Sequence, residues 1–346
     1  MKNNYISYLV CLKILIASII LSFFTLYLGW DMFKYPDFYH TYVKCPPSYY
    51  PNILYGELFC VLNYITGKNF SHSSTIFIIT AGFINMLLLI GYFKIFQEFL
   101  SKYGKFLFIA LLAFHPYMSI YFFRFYTDLF ASIGIFLILY YIMNNKRIDA
   151  FFIVSSIILI NFRVALIPVF FIYCLFEIYQ RLKSHDSLLP TLILLALTSI
   201  SLISVLDFSS NFAQINAKVP FLEKIIFNLV FVFGFRESFV GVFRQAFWGG
   251  DPLEVSSENP ALFFSEYAMV DYFSLLFSVF LLMIHVIGFY GIFKFSRLKK
   301  GRILILFSYI LIPIISIAHM RYLLPLIPIL LFGFSYVFFK VSSEEI

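Results

Sequence analysis

Runs such as Ile133–Met143 and Leu192–Leu202 carry no charged residue and show no alternation of polar with apolar side chains. Few folds accept such runs. An open sheet in hydrocarbon would leave backbone amides unpaired, and a membrane barrel would alternate over segments of about ten residues. A helix bonds its own backbone and tolerates apolar side chains all round. The composition agrees: 62% of the 346 residues are hydrophobic and 12% are charged, against about half and a quarter in soluble domains. The expectation is an all-α, polytopic transmembrane helical bundle forming a single integral membrane domain over residues 1–346.

Hydropathy breaks divide the chain into about ten spans, near 12–30, 73–93, 106–119, 127–143, 150–161, 164–180, 188–206, 272–293, 303–318 and 323–339. Several are shorter than the roughly 20 residues of an upright helix. The stretch from Ala150 to Tyr179 is too long for one span and is split at Asn161-Phe162-Arg163; Ile303–Phe339 is split at His319-Met320-Arg321. Lys2 and Lys13 precede the first run as in a secretory signal. No small-residue cleavage pattern follows Trp30, so the run is expected to be retained.

Charge orients the bundle. With the N-terminus cytoplasmic, 15 of the 25 basic residues fall in inside loops: Lys2, Lys13, Lys94, Lys102, Lys105, Lys146, Arg147, Arg181, Lys183, Lys294, Arg297, Lys299, Lys300, Arg302 and Lys340. Of the 18 acids, 12 fall outside. Positive-inside bias thus predicts both termini in the cytoplasm. Two long outer loops follow, about 31–72 and 207–271. The second holds the apolar stretch Ile225–Val242, broken by Arg236-Glu237, expected to be interfacial or re-entrant. Cys45 and Cys60 share the first loop and either pair, if it faces an oxidising compartment, or stay free thiols. Cys11 and Cys174 fall in or near spans and act as small hydrophobes.

Ionisable residues at membrane depth are costly and mark function. On this topology they gather at the outer ends of short spans: His115 ends span three, Arg124 and Asp128 precede span four, Arg163 caps the five/six hairpin, and His319 and Arg321 cap the last. The outer loops add Asp31, Asp37, His40, Arg236, Glu237 and Arg244. Guanidinium forks match phosphate oxygens, so this funnel suits a phosphate or pyrophosphate head group whose lipid tail lies between helices. A carboxylate or imidazole nearby could deprotonate an acceptor hydroxyl. Each residue also has a plainer role: a hairpin arginine as a snorkelling anchor, Glu237 neutralising Arg236, and the acids from Asp251 to Glu266 as solvated surface with a divalent-cation site the minority reading.

The stretch Tyr121-Phe-Phe-Arg124-Phe-Tyr-Thr-Asp128-Leu-Phe-Ala, then Lys146-Arg147, then Ile160-Asn-Phe-Arg163-Val-Ala-Leu-Ile-Pro168 resembles the central block of EpsG-like and Wzy-type O-antigen polymerases. Arg163 stands where that pattern more often has histidine, which favours phosphate binding over a general base there. Asp31 with Tyr-Pro-Asp37-Phe-Tyr-His40 resembles the acidic first outer loop of GT-C glycosyltransferases, and Arg321-Tyr-Leu-Leu-Pro325-Leu-Ile-Pro328 their late span start. The resemblance implies a GT-C-like bundle and inverting glycosyl transfer from a polyprenyl-linked donor at the outer face of the bacterial cytoplasmic membrane. It implies undecaprenyl pyrophosphate-linked oligosaccharide as substrate and a chain-length regulator as a further partner; it points to no nucleic acid and no resident cofactor. On the polymerase reading Arg124, Arg163 and Arg321, with His319, Arg236 and His115, hold the pyrophosphate; Asp37, His40 and Asp128 supply catalytic groups. On the GT-C reading Asp37 is the base. A flippase for lipid-linked oligosaccharide is the rival from another class, although the polar residues gather on one side and no two related halves are visible.

Overall fold

The computed structural model describes residues 4–24, 53–66, 75–123, 125, 127–201, 269–298, 300–311 and 323–341. These form an all-helical protein. Twelve α-helices are described: α1 Tyr5–Phe24, α2 Ile53–Thr66, α3 Thr75–Phe96, α4 Lys102–Phe114, α5 Pro116–Ile120, α6 Thr127–Met143, α7 Ala150–Phe162, α8 Ile167–Ser184, α9 Leu189–Ser201, α10 Met269–Lys294, α11 Lys300–Phe307 and α12 Ile327–Phe339. Short 3-10 turns cover Val164–Leu166 and Ser308–Ile310. Among the described residues the extended pairing is one isolated antiparallel bridge, Leu100 to Lys340, which ties the end of α12 to the start of α4.

Among the described residues two helices, Thr75–Phe99 and Val164–Ser184, are long and apolar enough to cross a membrane; Tyr5–Ile19 and the helices at 127–143, 150–162, 189–201, 279–294, 301–310 and 327–339 are shorter apolar segments. Several helices are as apolar outside as inside. On α3, Ile76, Ile79, Phe83 and Leu87 all point outward, one stripe at helical spacing.

Helix ends follow local chemistry. Ser101 caps α4 by accepting from the Gly104 amide, and Asp149 caps α7 by accepting from the Phe152 amide, each satisfying an amide the helix cannot. α6 ends in a left-handed Asn145, with the Lys146 amide donating to the Tyr141 carbonyl and the Asn145 amide to that of Ile142. That 6→1 and 5→2 pair is a Schellman stop. His185, also left-handed, ends α8.

Helix α12 lies at the centre, with Ile327 to Gly333 all buried, packed on α10, α4 and α3. Phe332 stacks on Phe96 at 3.9 Å between ring centroids, with Phe108 and Phe295 edge-on. The α10–α12 crossing is close enough to require glycine: a Cβ on Gly333 would lie 2.0 Å from the Gly288 carbonyl oxygen, and one on Gly291 would lie 2.0 Å from that of Gly333. Glycine, having no Cβ, allows such backbone approach.

Three sequence expectations change. The first outer segment is not loop throughout, because residues 53–66 are helical and pack against α7. Span three does not run unbroken to 119: α4 stops at Phe114, and Pro116, which has no amide to donate, starts the short α5. Lys13 is not a loop cation. It is fully buried eight residues into α1, because the apolar run begins at Tyr5 rather than after it. Cys60, on α2, is disulfide-bonded, whereas Cys11 and Cys174 are free; Cys45 lies outside the described residues.

Candidate functional site

The candidate site forms where the chain reverses before α6. Thr127 and Asp128 occupy the first turn of α6, where the helix dipole favours an anion. Arg163 caps α7 in an extended conformation, so its side chain leaves the helix axis and crosses to α6. Its Nη2 lies 3.1 Å from Asp128 Oδ1, and its Nη1 donates to Thr127 Oγ1 at 2.9 Å. Both side chains are nearly buried, 12% exposed for the arginine and 5% for the aspartate. In such surroundings two opposite charges are tolerable only as a pair.

Asp128 forms part of the wall of a narrow cleft between α3, the reversal at 121–123, α6 and the approach to α12. Asn85, Tyr92, Tyr121, Ser132, Leu324 and Pro328 share the lining. Asn85 Nδ2 donates to the Phe122 carbonyl at 2.8 Å, and the Tyr92 hydroxyl donates to that of Pro325 at 3.2 Å. These two bonds hold the turn before α6 and the turn before α12 against α3. The cleft therefore draws its walls from two of the stretches singled out in the sequence, Tyr121–Ala131 and Arg321–Pro328, and reaches the third through Arg163. Its room is about 40 Å³, enough for water-sized groups.

His115 takes a different place. It is buried, and its ring nitrogen Nε2 lies 3.1 Å from Nε2 of His285 on α10. Its other nitrogen accepts from the Met118 amide at the start of α5. Lys13 lies nearby, its ammonium donating to the carbonyls of Leu112 and Ala113 and to Ser119 Oγ at 3.1, 3.2 and 2.8 Å. It fills the role of a C-terminal cation for the interrupted α4. Sequence reasoning missed His285, which sits within α10 with no motif around it. It misplaced Lys13 for want of any signal that the first helix starts at Tyr5.

Of the nine site residues expected from sequence, Asp128, Arg163 and His115 are described; the first two meet and the third belongs to the separate histidine pair. Asp37, His40, Arg124, Arg236, His319 and Arg321 lie outside the described residues, as do the acids from Asp251 to Glu266 and the stretch Ile225–Val242. Among the described residues no group of three His, Cys, Asp or Glu side chains could hold a metal ion. No protein-family model matches the chain, and neither does any curated protein or solved structure.

Proposed function

We propose that this chain is a polytopic integral membrane protein of about ten spans, GT-C-like, with its termini in the bacterial cytoplasm and two long outer segments. In this reading it transfers glycosyl units between polyprenyl pyrophosphate-linked glycans at the outer face of the membrane, as an O-antigen or surface-polysaccharide polymerase. The outward stripe Ile76, Ile79, Phe83 and Leu87 supports the membrane placement, because contiguous apolar surface is unfavourable in water and solvated by lipid.

The observation that carries the catalytic reading is the Arg163–Asp128 pair beside the cleft. Its guanidinium, held from two sides by Asp128 and Thr127, is a preorganised donor for charge developing on a departing pyrophosphate. Asp128 then acts by orienting Arg163. Arg124 and Arg321 complete the phosphate clamp, and Asp37 or His40 takes the acceptor's hydroxyl proton. The new bond forms from that oxygen to the anomeric carbon as the bond to pyrophosphate breaks, with inversion. A pyrophosphate exceeds the present room, so substrate entry opens the cleft between α3 and the turn before α12.

Replacing Arg124, Arg163 and Arg321 singly, with lipopolysaccharide read on a gel, tests this. Collapse of the long-chain ladder to single repeats is expected. Unchanged ladders in all three variants would sink the proposal. Deleting the gene separates the rival: export of single-repeat units persists without a polymerase and ceases without a flippase.

A further inference from the structure

A second polar cavity lies at the other end of α6, bordered by α8 and α11, about 260 Å³ in volume. Lys146, Arg147, Arg181 and Arg302 line it, against one acid, Glu177. Two of these cations are already neutralised. Arg181 Nε donates to Glu177 Oε1 at 3.1 Å, its remaining nitrogens donate to the Ser187 and Ile148 carbonyls, and Arg147 pairs with Asp186. The other two form no ion pair among the described residues, although the Lys146 charge also acts on the Asp149 carboxylate. Arg302 donates only to neutral acceptors, the Ile142 carbonyl at 3.3 Å and Asn145 Oδ1 at 3.0 Å. Lys146 lies over the rings of Tyr140 and Tyr141 at 4.8 and 5.9 Å.

The fold creates this excess deliberately. The left-handed stop at Asn145 turns Lys146 and Arg147 back over the end of α6, and Arg302 reaches the same turn from α11. With Lys146, Arg147, Arg181 and Arg302 against Glu177, Asp186 and Asp149, the partly enclosed cavity keeps an excess of positive charge, which an anion relieves. Its volume accepts a phosphate group with room to spare. Helix α8 also carries Leu175, Tyr179 and Leu182 as an exposed apolar stripe beside its cavity-lining residues Phe176, Gln180 and Ser184.

From this arrangement we infer that the cavity binds a phosphate ester, supplied by the head group of an anionic phospholipid of the cytoplasmic leaflet whose acyl chains lie along the α8 stripe. Basic pockets between membrane helices on that side suit such head groups. The inference rests on the membrane placement proposed above and not on glycosyl transfer.

The test is native mass spectrometry of the full chain in detergent, with phosphatidylglycerol or phosphatidylcholine of identical acyl chains. Wild type is expected to retain phosphatidylglycerol over phosphatidylcholine. K146Q and R302Q are each expected to weaken that retention about tenfold, the effect of losing one charge-assisted contact. K146Q removes no hydrogen bond that holds helices together, so it keeps the test clear of misfolding. Equal retention of the two lipids, or unchanged retention in K146Q, overturns the site. Displacement by millimolar glycerol 3-phosphate overturns the lipid source and assigns the cavity to a soluble phosphate ester. Carbonate-washed membranes report the membrane placement separately: a chain released by carbonate overturns that reading, whereas one that pellets without lipid preference overturns this one alone.

Discussion

Arg163 at the end of α7 and Asp128 in the first turn of α6 form an ion pair at 3.1 Å that is nearly buried. Removing one partner leaves the other charge without compensation, a loss of about 3 kcal/mol in buried pairs. Asp128→Asn and Arg163→Met are each expected to destabilise by that order, and the double variant by clearly less than their sum. Thermal unfolding in detergent, read as a double-mutant cycle, checks this; additive losses would show that the two side chains do not interact.

Lys13 should behave as an internal fastener. Its three acceptors, two carbonyls at the end of α4 and Ser119 Oγ, would lose their donor in Lys13→Met. The expected cost is about 1–3 kcal/mol. Lys13→Glu would set a carboxylate against carbonyl oxygens and is expected to prevent accumulation of folded protein, as read by size-exclusion profile. A Lys13→Glu variant that elutes and melts like wild type would refute the burial.

The α10–α12 crossing predicts sharp size selectivity. Gly333→Val must push the backbones apart, because its Cβ would lie 2.0 Å from the Gly288 oxygen, with an expected loss above about 3 kcal/mol. Gly301→Ala is the control, because a Cβ there meets Phe176 at 3.6 Å, an ordinary contact, and stability should move by less than about 0.5 kcal/mol. Similar melting shifts for the two would contradict the close approach.

Asp149 provides a pH signature. Partial desolvation opposes its charged form, but the Phe152 amide, the Tyr141 hydroxyl and Lys146 more than offset it and hold the carboxyl below its ordinary 3.8. Folding therefore favours the ionised form. The stabilisation is present above 3.8 and is lost as pH falls through the folded value. Asp149→Ala is expected to cost about 1 kcal/mol at neutral pH, as for other helix caps. Melting curves of wild type and variant should converge on acidification below pH 3.8, and a gap that stays constant to pH 3 would argue against the cap.

The helices were legible from residue order because hydrocarbon-like runs and their breakers act locally. Thr127–Met143 follows directly from its apolar run, and α7 and α8 divide at Arg163 as their excess length requires. Even so, Pro116 cut the third run short, and residues 53–66 formed a helix from an apolar run shorter than the roughly 20 residues of an upright span. The candidate site was legible in part. Arg163 and Asp128, singled out as costly at membrane depth, meet in one ion pair, and residues of the Tyr121 and Arg321 stretches border one cleft.

Partnership was decided only by packing. Helices that are apolar on every side carry no stripe saying which face meets which neighbour, so nothing local told that Arg163 would spend its charge on Asp128. The same gap hid Lys13 beneath α4, His285 beside His115, and Lys146 with Arg302 around one cavity. Those contacts join residues far apart in the chain, and their energies depend on burial and distance, which exist only once the bundle has assembled.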